Sequence, residues 1–175
     1  MNNKFKIESI VIEHKIDDNP DTSFIGEYTS DLDDGVIIRQ YDKFYEDLTE
    51  EEIEEINERS REYTGFKPYA GGEKVGTKEY KEYGMLDYKR MEQLSNGDFS
   101  FMGITAYANI YFEENGVCQF QKVTSGGIWG IESDDKSGTE EIEKEQIEDL
   151  KHQLEHLNVD ISNFYDIKIT KNVIH

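Results

Sequence analysis

Residues 99–112 read Phe99-Ser-Phe-Met-Gly-Ile-Thr-Ala-Tyr-Ala-Asn-Ile-Tyr-Phe112 and contain no charged side chain. Every second residue from Met102 to Phe112 is apolar, which is the period of a β-strand with one buried face. Asn115-Gly116 is a typical hairpin turn. The chain then returns over residues 117–124, with Val117, Gln119, Gln121 and Val123 on one side. The pattern predicts an antiparallel hairpin.

Shorter segments outside the hairpin predict further strands. Residues 5–14, 23–28 and 36–39 are rich in β-branched residues and are separated by turn signals, which predicts an antiparallel meander. Residues 165–170 predict a final strand. Residues 69–84 contain four glycines and predict a long loop, which is followed by a short helix over 87–94 that Asp87 would cap.

Two longer helices are predicted. Thr49-Glu50-Glu51-Glu52 forms a capping box at the start of a helix over about 49–63. Thr139 would cap the other helix, over about 139–157, whose buried stripe comprises Ile142, Ile147, Leu150, Leu154 and Leu157. The fold class is therefore α+β, with a single acidic domain over 1–175 and a mainly antiparallel sheet packed against these two principal helices.

The charge is concentrated in three segments. The chain has 175 residues, with 39 acidic and 19 basic side chains and a formal net charge of −20. Residues 17–34 contain seven acids and no base, residues 46–58 contain eight acids and no base, and residues 132–149 contain nine acids and two lysines. The 21 aromatic residues indicate a folded protein rather than a disordered acidic chain.

This charge excludes several classes of partner. A body at −20 repels a polyanion, so direct binding to nucleic acid or to an anionic membrane is disfavoured. The sequence has no apolar stretch of about 20 residues and no signal-peptide pattern at Met1-Asn2-Asn3-Lys4, so a cytoplasmic location is expected.

Cys118 is the single cysteine and is expected to be a buried thiol without a disulfide.

No catalytic constellation, cofactor motif or metal site is predicted. The glycine-rich segment from Ser125 to Gly130 lacks the lysine of a phosphate-binding loop, and a tight turn with Trp129 in the core is its structural interpretation. Glu132, Asp134 and Asp135 are of the type that binds Mg²⁺ or Ca²⁺, but they also suit the start of a helix. His152 and His156 have helical i, i+4 spacing, which also suits the end of a helix.

A resemblance covers about residues 86–157. The segment Ser125-Gly126-Gly127-Ile128-Trp129-Gly130-Ile131-Glu132-Ser133-Asp134 is its most specific part and resembles a pattern in small uncharacterised proteins of bacteria and their phages. The resemblance implies a bacterial or phage setting, hence the host cytoplasm, and it supplies no catalytic residues.

Three functional hypotheses follow. The first is an acidic inhibitor of the anti-CRISPR or antirestriction type, which occupies the basic nucleic-acid groove of a nuclease or similar protein as a DNA mimic. The second is a protein-interaction module whose acidic surface only keeps it in solution, with Trp129 in the contact. The third is a metal-assisted hydrolase. The sequence does not indicate an oligomeric state.

The candidate binding residues comprise three groups. The predicted helix supplies five glutamates, the turn before residue 35 supplies three aspartates, and residues 129–135 supply the rest. They are Glu50, Glu51, Glu54, Glu55, Glu58, Asp31, Asp33, Asp34, Trp129, Glu132, Asp134 and Asp135.

Overall fold

The computed structural model describes residues 5–114 and 117–174. They form an α+β protein with mostly antiparallel strands, as predicted, but with three α-helices among the described residues rather than two. The Cα positions group into two compact units, which we call unit 1 (1–20 and 99–175) and unit 2 (21–98). One domain over 1–175 stays a prediction.

The elements have the following bounds in chain order. The strands are β1 (Lys6–Ile16), β2 (Gly26–Thr29), β3 (Ile37–Ile38), β4 (Lys43–Phe44), β5 (Gly65–Pro68), β6 (Phe101–Glu114), β7 (Val117–Thr124), β8 (Ile128–Glu132) and β9 (Ile169–Ile174). The helices are α1 (Glu50–Glu58), α2 (Lys78–Asn96) and α3 (Lys136–His156).

The predicted hairpin is confirmed as β6 and β7 of unit 1. The two strands pair antiparallel, with Tyr107 opposite Thr124 and Ala108 opposite Val123. The alternating residues from Met102 to Ile110 are buried, as the pattern predicts. On β7 only Val123 is buried, because this strand forms an edge of the sheet. The predicted turn at Asn115-Gly116 lies outside the described residues.

The sheet of unit 1 has the order β7-β6-β1-β9, and β8 pairs with the other end of β6. The predicted meander is wrong, because β1 lies between β6 and β9 while β2 and β3 belong to the other unit. Ile12 of β1 is paired with Ala106 of β6, and Ile10 is paired with Ala108. The isoleucines of β1 therefore lie on the same buried face of the sheet as these alanines. The last strand is parallel to β1 and begins at Ile169, since Phe164–Asp166 forms a 3-10 turn with Phe164 buried.

Helix α3 covers the buried face of this sheet. Ile147, Leu150 and Leu154 pack into one cluster with β1 and β6. The helix begins at Lys136 instead of 139, because the Asp135 carboxylate caps it by accepting a hydrogen bond from the Gly138 N–H at 3.0 Å. Leu157 does not belong to the stripe, since it lies past the last turn and is exposed.

Unit 2 contains an antiparallel sheet of order β2-β5-β3-β4 and the other two helices. The predicted loop over 69–84 is wrong from Lys78 onward, where α2 begins behind its Thr77 cap, and the predicted helix over 87–94 is the second half of α2, so Asp87 does not cap it. Gly84 lies inside α2, where a Cβ would be 2.9 Å from the Pro68 side chain and 3.0 Å from Phe44. A glycine there permits close helix packing rather than a loop.

Helix α1 is shorter than predicted. Its capping box is confirmed, with Glu52 N–H donating to Thr49 Oγ1 at 3.3 Å and Thr49 N–H donating to Glu52 Oε2 at 2.8 Å. The helix ends at Glu58 because Arg59 leaves helical geometry, with φ −126° and ψ 32°, before a 3-10 turn. Among the described residues, no helix is both long and apolar enough to cross a membrane.

Candidate functional site

The predicted helix glutamates lie on the surface of unit 2. Glu50, Glu51, Glu54, Glu55 and Glu58 are all exposed. Ile56, on the opposite side of α1, is buried in a cluster with Val36 and Ile38 of the same unit. Burial of this one side orients the helix and leaves the glutamates in water.

Basic side chains from other segments neutralise half of the acids in residues 46–58. Lys43 Nζ lies 2.8 Å from Glu52, and Arg59 lies 3.3 Å from Glu55. Lys81 contacts Asp47 at 2.5 Å and Glu46 at 3.8 Å. The hydrogen bond from Lys43, followed by that from the Thr49 N–H, lowers the pKa of Glu52. The block is therefore less negative than its composition suggests.

Four glutamates of α1 keep their charge without such a partner. In the described part of the chain, Glu50, Glu51, Glu54 and Glu58 form no ion pair. Glu50, Glu54 and Glu58 are four residues apart, so their Cα atoms follow one side of the helix at intervals of about 6 Å and span about 12 Å. The row ends at Glu58 with α1, whereas the predicted helix extends to about residue 63.

The predicted aspartates lie in the loop before β3. Asp31, Asp33 and Asp34 are exposed and, across residues 5–114 and 117–174, also form no ion pair. The loop is held to the segment before α1, because the Gly35 N–H donates to Glu46 Oε2 at 3.0 Å. Leu32 packs in the same apolar cluster as Ile56 of α1. The loop before β3 and helix α1 therefore pack on the same apolar cluster.

These seven residues are called the unpaired carboxylates of unit 2 below. The group comprises Asp31, Asp33, Asp34, Glu50, Glu51, Glu54 and Glu58. Glu55 was predicted with them, but its charge is partly neutralised by Arg59, and its carboxylate also accepts a hydrogen bond from the Tyr41 hydroxyl at 2.9 Å.

Two acids of the third acidic segment, Glu143 and Asp149, make contacts inside unit 1. Glu143 is buried, and its two oxygens contact His14 Nε2 at 2.9 Å and Lys171 Nζ at 2.6 Å. Asp149 accepts a hydrogen bond from the Gly126 N–H at 2.9 Å. The chemistry of Glu143 is not apparent from its residue type, but its place is, because it precedes Ile147 by one helical turn and so continues the buried stripe.

The Ser125-Gly126-Gly127 segment ties the sheet of unit 1 to α3. The Ser125 hydroxyl donates to Gln146 Oε1 at 2.7 Å, and the Gly127 N–H donates to the same oxygen at 2.9 Å. Gly127 has a φ of +77°, and a Cβ there would be 2.8 Å from Thr105 Oγ1. These hydrogen bonds and this close packing therefore explain why a serine is found at residue 125 and a glycine at residue 127.

Trp129 lies on the surface and not in the core. Its side chain is 52% exposed, so the prediction of a buried plug is wrong. The indole covers Gly103 of β6, where a Cβ would come within 2.5 Å of the ring. Because Gly103 has no side chain, the flat indole ring can lie directly against the strand.

The remaining candidates do not converge on a metal. Among the described residues, no group of three or more His, Cys, Asp and Glu side chains is arranged to hold an ion. The carboxylate of Asp135 caps α3, and Glu132 lies on β8 opposite Phe101. His152 and His156 are exposed. Cys118 is also exposed, on the edge strand β7, so the prediction of a buried thiol is wrong.

No protein-family model, no curated protein and no solved structure matches this chain. The resemblance of residues 125–134 to bacterial and phage proteins therefore stays a prediction.

Proposed function

We propose that this protein binds a partner with a basic nucleic-acid groove and blocks that groove through the unpaired carboxylates of unit 2. The observation that supports the proposal is the division of the acidic residues into two groups. Four acids of residues 46–58 have basic partners, whereas the seven unpaired carboxylates are exposed and have none among the described residues. Charge left uncompensated in this way attracts a cationic surface.

The spacing of these charges suits the proposed competition. One DNA strand carries a phosphate about every 3.4 Å along the helix axis. The row on α1, at about 6 Å, is therefore close to every second phosphate. Unit 2 as a whole has 21 acidic and 10 basic residues, which adds a long-range field of the same sign. The proposed targets are restriction or CRISPR nucleases in a bacterial cytoplasm.

Neutralising the α1 row is expected to weaken binding to such a partner roughly tenfold. The variant is E50Q/E54Q/E58Q, and the estimate takes a few tenths to 1 kcal/mol for each exposed charge contact. The matched control is E140Q/E141Q/E145Q, which removes three exposed glutamates from a helix of unit 1 and reaches the same net charge. The control is expected to bind within about twofold of the unmodified protein.

The measurement begins with a pulldown from bacterial lysate, in which bound proteins are released by duplex DNA. Each released protein is then purified, and its nuclease or DNA-binding activity is titrated with the unmodified chain and both variants. Equal inhibition by the two variants would reject α1 as the contact. Captured proteins that duplex DNA cannot displace would reject occupation of a nucleic-acid groove.

A second candidate contact is the exposed indole of Trp129. It lies over Gly103, on the side of β6 that also carries Tyr111, and the ring centroid of Tyr111 lies 6.4 Å from that of Phe120, which is 61% exposed. Exposed aromatic residues are frequent at the centres of protein interfaces. We propose this face as the contact of a protein-interaction module whose acidic surface has no binding role.

Under this second function, Trp129→Ala is expected to weaken binding at least tenfold, because truncated hot-spot residues cost about 2 kcal/mol or more. Leu86→Ala, at a 61% exposed position of unit 2, is the control. Far-ultraviolet circular dichroism verifies that both variants are folded. Binding by Trp129→Ala that equals binding by the control would exclude the indole from the contact.

A further inference from the structure

A cleft in unit 1 lies between the first half of α3 and the ends of β1 and β9. It consists of two cavities, of about 390 Å³ and about 220 Å³, which share His14, Met102, Ser133 and Val173. Because of these shared residues, the two cavities are treated as one site, which we call the His14 cleft. Sites for small molecules have volumes of about 300–1,000 Å³, so the cleft is large enough to hold one.

The charge of the His14 cleft is opposite in sign to that of the chain. Unit 1 has nine lysines, no arginine and eighteen acidic residues. Three of the nine lysines line the cleft, namely Lys15, Lys136 and Lys171. Two of the eighteen acids line it, namely Glu140 and Glu143. One third of the bases of the unit are thus found at this site, but one ninth of its acids.

The buried carboxylate in the cleft already has partners. Glu143 contacts His14 Nε2 at 2.9 Å and Lys171 Nζ at 2.6 Å. Three other charged groups of the cleft are exposed and form no ion pair within residues 5–114 and 117–174, and they are Lys15, Lys136 and Glu140. Two unpaired ammonium groups against one unpaired carboxylate leave one positive charge, which attracts a monoanion.

The cleft also has a positioned hydroxyl group and an apolar wall. Ser133 Oγ accepts a hydrogen bond from the Ser100 N–H at 2.9 Å, and this bond leaves the hydroxyl proton to be donated. Four apolar side chains line the smaller cavity, and they are Ile16, Met102, Val173 and Ile174. Among the described residues, no acidic side chain lines that cavity. A ligand there therefore meets hydrocarbon on one side and cationic groups on the other.

We propose that the His14 cleft binds a small aliphatic carboxylate, with the charged group near Lys15 and Lys136 and the hydrocarbon chain against the apolar wall. The single net positive charge selects a monoanion, and the wall favours hydrocarbon over a polar group such as a sugar. A mostly apolar lining with a few polar groups is typical of small-molecule sites. This interaction goes beyond the proposed function, since it uses unit 1 and none of the unpaired carboxylates of unit 2.

The test titrates the full chain with sodium hexanoate and follows amide chemical shifts by nuclear magnetic resonance. We expect saturable shifts confined to residues around the His14 cleft, with a dissociation constant of about 1 mM for a ligand of this size. Acetate keeps the charge but lacks the chain, 1-hexanol keeps the chain but lacks the charge, and hexylammonium reverses the charge. Each is expected to bind about tenfold more weakly than hexanoate or worse. Equal binding of hexanol and hexanoate would show that the carboxylate is not recognised.

Variants of the lysines test the cationic side of the cleft. K15Q/K136Q is expected to weaken hexanoate binding about tenfold, because each exposed charge contact contributes a factor of about two to five. The matched control is K144Q/K168Q, which removes two exposed lysines of unit 1 that do not line the cleft. It is expected to bind within about twofold of the unmodified protein. Equal losses in the two variants would reduce the effect to general attraction of an anion.

Removal of the unpaired acid is expected to have the opposite effect. Glu140→Gln takes away a negative charge from the lining, so we expect hexanoate to bind about twofold to threefold more tightly. Weaker binding by this variant would contradict the proposed position of the carboxylate.

Two variants of β9 test the apolar wall. Val173→Asn places a polar group in the cleft, whereas Ile169→Asn makes a similar change two positions of the same face away, in a neighbouring cavity. We expect a loss of about fivefold or more for Val173→Asn and less than twofold for Ile169→Asn, since each buried methylene contributes about fourfold. Both side chains are exposed, and circular dichroism verifies that both variants fold.

Three further results would overturn the proposal: no saturable shifts at 20-fold the expected dissociation constant, shifts centred on unit 2, or tighter binding of inorganic phosphate than of hexanoate. The α1 variant E50Q/E54Q/E58Q is expected to bind hexanoate like the unmodified protein. Failure of the groove-blocking function and failure of carboxylate binding are therefore distinguishable.

Discussion

Gly26→Ala is expected to destabilise unit 2 by about 3–5 kcal/mol. Gly26 begins β2 with a φ of +143°, which is a conformation that residues with a Cβ rarely adopt. An added Cβ would lie 2.7 Å from Phe66 Cζ and 2.9 Å from Pro68 Cα, and it would also meet the Lys67 carbonyl oxygen. Backbone strain and overpacking each cost about 1–3 kcal/mol, and backbone atoms cannot rotate away as a side chain can.

Gly76→Ala is the matched control in the same unit. Gly76 also has a positive φ, of +85°, but a Cβ there would meet no atom within 4 Å. Its expected cost is about 1 kcal/mol, which comes from the backbone conformation alone. Urea unfolding by circular dichroism and hydrogen exchange of peptides from β5 measure both variants. Equal losses of stability would show that the close contact between β2 and β5 contributes nothing.

The sequence predicted the elements whose signals are local. The hairpin of β6 and β7 combines an uninterrupted two-residue period with strands that are adjacent in the chain, and it is found where expected. The capping box of α1 depends on four successive residues and is also confirmed. In both cases, the residues that make the decisive interactions are near neighbours in sequence.

The elements that were wrong depend on distant partners. Gly84 suggested a loop, but its role is set by Pro68 and Phe44, which pack against α2. The buried face of α2 was nevertheless visible as Tyr80, Gly84, Tyr88 and Met91 at helical spacing. β1 was placed in a meander with its sequence neighbours, whereas its partners are β6 and β9, about 100 and 160 residues away.

In the candidate site, too, features that depend on neighbouring residues could be predicted, and features that depend on distant partners could not. Exposure of the α1 glutamates could be predicted, because the apolar residues of a short helix determine which side faces water. The ion pairs of Glu46 and Asp47 with Lys81 could not be predicted, since that lysine comes from α2. For Trp129, the glycine-rich context predicts a tight turn with a buried indole. The decisive neighbour is Gly103 on the adjacent strand, whose missing side chain lets the indole lie on the surface.

Leu150→Ala is expected to destabilise unit 1 by about 3 kcal/mol. Leu150 is fully buried on α3, in the cluster formed with β1 and β6. Truncation removes the burial of three carbon atoms and leaves a cavity, because the surrounding strands are fixed by their hydrogen bonds and collapse only partly. Such losses lie in the range of about 2–5 kcal/mol. Unfolding is measured in urea by the fluorescence of Trp129, which is the single tryptophan and lies in the same unit.

Leu157→Ala, at the C-terminal end of the same helix, separates the predicted stripe from the observed one. The sequence pattern placed Leu157 with Leu150 and Leu154, and a buried residue there would cost several kcal/mol on truncation. In the structure its side chain is 58% exposed, so the expected change is within about 0.5 kcal/mol. A loss at Leu157 as large as that at Leu150 would contradict the observed end of α3. A small loss at Leu150 would contradict the packing of the helix on the sheet that carries both β9 and Trp129.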